Sequence, residues 1–352
     1  MGPTLVLNTG SSSIKYAVFE GAQQQTAGQV EQVSDHAEAM GQVMSAVSSA
    51  GLSAVAHRVV HGGTEFSGPV LIDGDVEARI EALCPLAPLH NPVALAAIRA
   101  IRAEAPDLPQ IAAFDTAFHR TIPEIRQLYA LPASAAANGI RRYGFHGLSY
   151  AGLTRKMPEL AGLLPDRLLA CHLGNGASLC AIKSGQSVAT TMGYSPVSGL
   201  TMGTRVGEID ANAVLRLAAL HGAEKAALLL NNRSGLMGLG GLSDMRALGH
   251  SGLPEAARAI EHFAETAIMQ AGAMIAAMGG CDAVAFTGGI GENDAGMRAR
   301  IMAGLGWLGL TLDSAANSGN APCISGDGPV SAWIVPAEEE AEIARQSQML
   351  LS

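Results

Sequence analysis

The sequence predicts an α/β protein with a repeated supersecondary unit, and three observations carry that reading. Apolar runs of strand length alternate with helical stripes along the chain. A strand, Gly-rich turn, strand unit occurs twice, once near the N-terminus and again from residue 168. Hydrophobic residues make up 48% of the chain and charged ones 15%, so substantial cores can form. At 352 residues the chain suits two domains of ordinary size.

In chain order, TLVLN (4–8) and IKYAVFE (14–20) read as strands around the turn TGSSS. LLACHL, GNGAS and LCAIKSG repeat that order. The alignable pieces LNTGSSSIKYAVF and HLGNGASLCAIK suggest a duplication across two domains, although two unrelated hairpins would give the same letters. Between the repeats, AVAHRVVH (54–61) and QIAAFDTAF (110–118) read as strands and NPVALAAIRAIRAEA (91–105) as a helix. Residues 254–278 carry apolar side chains at Ile260, Phe263, Ala264, Ala267, Ile268, Ala271, Met274, Ile275 and Met278, a helical stripe that Gly279-Gly280 stops. A strand DAVAFTGG (282–289), a glycine turn GIGEN and a further helix follow.

Composition excludes several classes. The net charge of −9 argues against a nucleic-acid partner. No apolar run reaches the ~18 residues of a spanning helix, and the N-terminus enters a strand without a basic flank, so no membrane association and a cytoplasmic protein are expected. Five cysteines without a CxxC pair point to reduced thiols.

TGSSSIK, HLGNGAS and TGGIGEN each offer backbone N–H groups that can cradle an anion, the first with Lys15 as a nearby cation. Three such turns favour a nucleoside triphosphate, held without a P-loop because GxxxxGK[ST] does not occur. Gly304, Gly306 and Gly309 fit GxGxxG but follow a helix pattern, the reverse of a dinucleotide fingerprint. Strand alternation in HRVVHGG places Arg58 and Val60 on one face and His57, Val59 and His61 on the other. An Arg beside an apolar side chain suits a small amphiphilic anion, and a structural ion pair is an equal reading. His57 and His61 are expected to pack rather than bind metal. Arg205 lies in the Gly-flanked loop MGTRVGEID, Asp115 at a strand end and His146 in the loop RRYGFHG. The run Glu338, Glu339, Glu340 and Glu342 opens a helix, where carboxylates ordinarily complement the helix dipole.

LNTGSSSIK, HRVVHGG, APLHNP, FDTAFH, RRYGFHG, HLGNGAS, MGTRVGEID and FTGGIGEN stand in the order seen in acetate kinases. From residue 5 to about residue 345 the chain resembles that family, which includes propionate and butyrate kinases and belongs to the superfamily of sugar kinases and actin. The resemblance implies duplicated ribonuclease-H-like domains around a central cleft. Residues 1–116 with a returning helix at 341–352 would form one, and residues 117–340 a nucleotide-binding one. It implies a homodimer that uses Mg²⁺ and ATP to phosphorylate acetate reversibly.

By motif, Ser11, Ser13 and Lys15 would hold phosphate, and Asn8 and Glu339 the metal. Arg58 and Arg205 would hold the acid and the phosphoryl group in transit, with Asp115 positioning the carboxylate and His146 bonding the phosphoryl oxygens. The nucleotide would meet His172, Gly174, Asn175, Gly176, Asp244, Arg246, Gly289, Ile290, Gly291, Glu292 and Asn293. Val60, Leu89, Phe145 and Pro196 would line the alkyl pocket. The chain departs from the family pattern at Tyr150, Ser198, Val206 and Glu338 and is short for the family. A propionate-preferring kinase, a pyrophosphate-using relative and a non-catalytic nucleotide-binding protein are the alternatives.

Overall fold

The computed structural model describes residues 2–10, 13–31, 36–136 and 138–352. The chain divides into two compact units. The first comprises Met1–Arg120, Phe145–Gly152 and Glu338–Ser352, the second Thr121–Gly144 and Leu153–Ala337.

The sheet of the first unit contains β1 (Thr4–Thr9), β2 (Ser13–Glu20), β3 (Gln23–Glu31), β4 (Ala54–Val59), β5 (Val70–Leu71) and β6 (Gln110–Phe114). Its order is β3-β2-β1-β4-β6-β5. β1, β2 and β3 form an antiparallel meander, while β4 pairs parallel with both β1 and β6. In the second unit, β7 (Arg167–Leu173), β8 (Ala177–Lys183), β9 (Gln186–Thr190), β10 (Ala283–Thr287) and β11 (Ser331–Ile334) take the order β11-β10-β7-β8-β9. There β7, β8 and β9 are the meander, and β10 pairs parallel with β7 and β11. With the two-residue edge strand β5 set aside, both sheets have one topology, so the repeated hairpin is part of a true duplication. This is the ribonuclease-H-like arrangement.

Alternation in β1 explains how its sheet is covered. Leu5 and Leu7 pack with Met40, Val43 and Ile101 from the helices His36–Ala46 and Asn91–Glu104. Val6 points the other way, into a core with Ala56, Ala113, Leu148, Ile343 and Ala344. The last two belong to the helix Glu339–Leu351, which therefore seals the far face of the first sheet.

The long predicted helix is observed as Pro254–Met278, stopped by Gly279 at φ 76, where only glycine avoids a Cβ penalty. Ile260 and Ile268 flank its buried stripe rather than belonging to it. Two expectations are corrected. The strand read as 110–118 ends at Phe114, because Ala117–Thr121 winds into a 3₁₀ turn. GIGEN is not a turn: Gly288–Asn293 is a short helix whose first N–H, on Gly288, is taken by Glu292 Oε1 at 2.9 Å. Among the described residues no helix is long and apolar enough to cross a membrane.

Candidate active site

Three parallel neighbours of the first sheet present polar residues at their carboxyl ends, the edge at which open α/β sheets ordinarily bind ligands. Asn8 lies near the end of β1, Arg58 near the end of β4, and Asp115 directly after β6. Arg58 donates from Nε to Asp115 Oδ1 at 3.1 Å and from Nη2 to Oδ2 at 2.6 Å. Its Nη1 donates to Asn8 Oδ1 at 3.0 Å, and Asn8 Nδ2 donates to Glu340 Oε1 at 3.2 Å. Glu339 stands 3.9 Å from Arg58 Nε. The first turn of the Glu339–Leu351 helix thus delivers two carboxylates to the strand ends.

Charge and burial are unevenly matched here. The Asp115 side chain is 1% exposed and that of Arg58 22%. Burial acts to lower the Arg58 pKa, but Asp115 and Glu339 outweigh it, so the guanidinium is held protonated more firmly than usual. Burial pushes the Glu339 carboxyl up to about 6; Arg58 opposes that shift, and Asp115 and Glu340 add to it.

The loop carrying His146 is pinned to the same strand end. Gly147 N–H donates to the Asp115 carbonyl at 2.8 Å, and His119 Nε2 donates to the Phe145 carbonyl at 2.9 Å. A Cβ on Gly147 would overlap that Asp115 carbonyl, so only glycine permits the approach. Between these anchors His146 adopts φ 59, an uncommon backbone for a non-glycine residue. Phe145 is buried and stands edge-on to His61 at 5.5 Å; Val60 is buried, whereas Leu89 is 55% exposed. His57 and His61 pack as expected. His57 Nε2 donates to Gln110 Oε1 at 2.7 Å, and His61 Nδ1 accepts from Gly63 N–H at 3.0 Å. Lys15 is exposed on β2, opposite Asn8 in register, and Ser13 opens that strand; Ser11 lies outside the described residues.

The second unit holds a cavity of about 740 Å³. Two of the three glycine turns meet in it: Gly174 and Asn175 after β7, and Gly289, Ile290 and Asn293 after β10. Asp244 and Arg246 line it too, Asp244 also capping the Met245–Ser251 helix through a 2.8 Å bond from Ala247 N–H. Gly288 sits so close beneath that a Cβ would stand 2.8 Å from the Leu173 carbonyl. His172, Gly176, Gly291 and Glu292 do not line the cavity; Glu292 Oε1 is occupied by the N–H groups of Gly288 and Ala337, a bracing role. Elsewhere in this unit, Arg205 donates from Nη1 to the carbonyl of Pro196, itself half-buried, at 3.2 Å.

Sequence reasoning missed the Asn8–Glu340 bond and the cavity residues Ser243, Gly249, His250 and Asp294. The cavity residues carry no motif of their own. A Gly-Gly or Ser-Asp punctuation such as Gly240-Gly241 and Ser243-Asp244 was their one available signal.

Asn8 Oδ1 and the Glu339 and Glu340 carboxylates are oxygen donors of the kind a hard cation takes, with the Arg58 guanidinium standing against Asn8 Oδ1 and 3.9 Å from Glu339. No group of three or more His, Cys, Asp or Glu residues forms a complete cage among the described residues. Mg²⁺ is usually held by one or two carboxylates, with water and substrate phosphates filling the other positions, and Glu339 and Glu340 are the carboxylates beside Asn8 and Arg58.

The acetokinase family model matches residues 22–345. The chain belongs to the acetokinase family. The acetate kinase of Nitrobacter hamburgensis is 42% identical across 100% of this chain and 96% of the relative. The solved acetate kinase of Porphyromonas gingivalis superposes with a TM-score of 0.92 at 34% identity, covering 100% of each chain. A propionate kinase from Francisella tularensis gives a TM-score of 0.94 at 33% identity, covering 98% of this chain and 99% of that one. Acetokinase membership makes the protein a kinase whose phosphoryl acceptor is a carboxyl group. The alignment with the N. hamburgensis relative spans 390 positions against 352 residues here, so this member of the family lacks internal segments that the relative has.

Proposed function

We propose that the enzyme transfers the γ-phosphoryl group of Mg-ATP reversibly to acetate, giving acetyl phosphate and ADP. The observation that carries this reading is the two-point Arg58–Asp115 pair at the strand ends, with Asn8 and Glu339 beside it. A carboxylate oxygen of the acid forms a bond to the γ-phosphorus while the bond to the β–γ bridging oxygen breaks, and that electron pair leaves with ADP. The transferring group carries spread negative charge, so donors and cations serve it better than a covalent helper.

Arg58, oriented by Asp115, meets the acid's carboxylate or the group in transit. Arg205 is assigned a second positive charge and His146 a hydrogen bond on the same phosphoryl oxygens. Asn8 and Glu339 would hold Mg²⁺, which supplies charge neutralisation to the donor phosphates when bound. Lys15, Ser13 and Ser11 are assigned to phosphate. The adenosine diphosphate portion goes to the cavity of the second unit, with Gly174, Asn175, Asp244, Arg246, Gly289, Ile290 and Asn293 as its contacts. Val60, Leu89, Phe145 and Pro196 are assigned to the alkyl end.

Propionate is the second reading, favoured by the close superposition on a propionate kinase. One methylene in an apolar pocket discriminates by only about 1–3 kcal/mol. A homodimer is supported by the Ala211–His221 helix, which buries none of its residues and leaves Leu215 66% and Leu220 55% exposed. A cytoplasmic setting agrees with five free cysteines.

The test is incubation with Mg-ATP and acetate, propionate or butyrate separately, trapping the acyl phosphate with hydroxylamine. Hydroxamate formed fastest with acetate supports the proposal, and a propionate optimum moves the substrate alone. No hydroxamate with any of the acids, from ATP or pyrophosphate, sinks it.

A further inference from the structure

Among the described residues Arg298 is the largest fully buried side chain, 0% exposed, and the transfer chemistry above does not use it. It lies in the Ala295–Gly304 helix, and all five of its N–H donors are matched. Nη1 donates to the carbonyls of Gly291 at 3.0 Å and Glu292 at 2.8 Å. Nε donates to Asn317 Oδ1 at 2.8 Å, and Nη2 to the Asn317 carbonyl at 2.8 Å and Asn320 Oδ1 at 2.6 Å. Asn317 in turn donates from Nδ2 to the Ala295 carbonyl at 2.9 Å.

None of these acceptors is a carboxylate, so the residue is not half of a salt bridge. Its acceptors are carbonyls near the end of the Gly288–Asn293 helix, which that short helix cannot satisfy itself, and Asn317 and Asn320, within and just beyond the short Ser314–Ser318 helix some twenty residues downstream. The Gly288–Asn293 helix and Ala295 line the cavity, so the guanidinium fork sets the position of one cavity wall from beneath.

We infer that Arg298 is a positioning residue for the nucleotide: clamping Gly291, Glu292 and Asn317, it holds Gly289, Ile290, Asn293 and Ala295 in the geometry that receives the phosphate-bearing end of the ligand. The inference rests on the proposed nucleotide role of this cavity. A planar five-donor fork is required; an ammonium has the charge but three donors and no fixed plane.

Full-length wild type, Arg298→Lys and Asn320→Gly are titrated calorimetrically with Mg-ADP, alongside melting curves and the KM for acetate. Asn320 has φ 51 and is exposed, so glycine keeps its backbone and removes only the acceptor for Nη2. The expected result is an ADP Kd raised about ten-fold or more in Arg298→Lys and about three-fold in Asn320→Gly. The KM for acetate stays within two-fold in both. A merely structural arginine lowers the melting temperature and leaves the Kd of the folded protein unchanged, and that outcome overturns the inference. So does a KM for acetate that rises in step with the ADP Kd. If Arg298→Lys does not fold, an unchanged Kd in Asn320→Gly is sufficient to overturn it. Wild type that binds no Mg-ADP defeats the nucleotide reading and this inference together; normal wild-type binding with unaltered variants defeats this inference alone.

Discussion

Arg58 and Asp115 meet through two parallel N–H···O contacts, 3.1 and 2.6 Å long, on the ends of neighbouring strands. Each residue fixes the other, since the carboxylate is buried and the guanidinium has a single orientation that satisfies it. Lysine supplies charge at one point only, so Arg58→Lys should reduce turnover at saturating substrate by about 10²-fold or more. Steady-state hydroxamate rates measure this, and a rate within three-fold of wild type removes Arg58 from the transition state. Arg58→Ala additionally strands the Asp115 charge, with an expected stability loss of about 3–5 kcal/mol in urea unfolding.

Gly147 offers a test of the loop that carries His146. Gly147→Ala drives a methyl into the Asp115 carbonyl and must displace the loop, lowering both melting temperature and turnover. Gly272 is the control: it sits inside the Pro254–Met278 helix with nothing within 4 Å of a built Cβ. Gly272→Ala should stabilise by about 0.5–1 kcal/mol and leave activity unchanged. Equal activity in the two variants would show that the Gly147 contact has no functional weight.

Glu339 gives a stability signature with a defined sign. Its folded pKa of about 6 lies above the ordinary 4.5 of a glutamate, so between those values the folded state binds more protons than the unfolded one. Its stabilising contribution is complete below pH 4.5 and is lost as pH rises through 6. In chelator at pH 8, Glu339→Gln should therefore be more stable than wild type by up to about 2 kcal/mol, the difference fading toward pH 4.5. Added Mg²⁺ should raise the melting temperature of wild type and not of the variant. Urea curves at the two pH values decide it; a variant less stable than wild type at pH 8 contradicts the assignment.

The buried histidines act in the opposite sense. Burial lowers His57, His61 and His119 from 6.5 to about 4, despite hydrogen bonds from His57 to Gln110 and from His119 to Phe145 that pull upward. The unfolded chain binds protons that the folded one refuses, so stability rises with pH between 4 and 6.5 and is lost on acidification through that window. Each contributes up to about 3 kcal/mol of acid sensitivity. His119→Gln, which keeps a donor for the Phe145 carbonyl, should flatten the dependence of melting temperature on pH across that range; an unchanged slope counts against a neutral His119.

Local pattern carried much of this protein. The Pro254–Met278 helix and the repeated hairpin were legible because their periodicities are set by nearest neighbours and ended by glycine. Asp115 at a strand end and the glycine turns of the cavity were legible for the same reason. Arg298 was not, because three of its acceptor atoms belong to Asn317 and Asn320, on a separate stretch of chain 19 and 22 positions away. The Asn8–Glu340 bond joins residues 332 positions apart, beyond any local pattern. Gly288–Asn293 was misread as a turn because glycine propensity was weighed without the Glu292 and Arg298 contacts that hold it helical.

The Glu339–Leu351 helix belongs to the first unit, yet it is made after all of the second. On the ribosome, β1, β4 and β6 can pair early, but the face bearing Val6, Ala56 and Ala113 has only Leu148 to cover it until Ile343 and Ala344 emerge. Glu339 reaches Arg58 at the same late moment. The core of the first unit is therefore completed only after the whole of the second has been made, which ties the order of synthesis to the order in which the two sheets are covered.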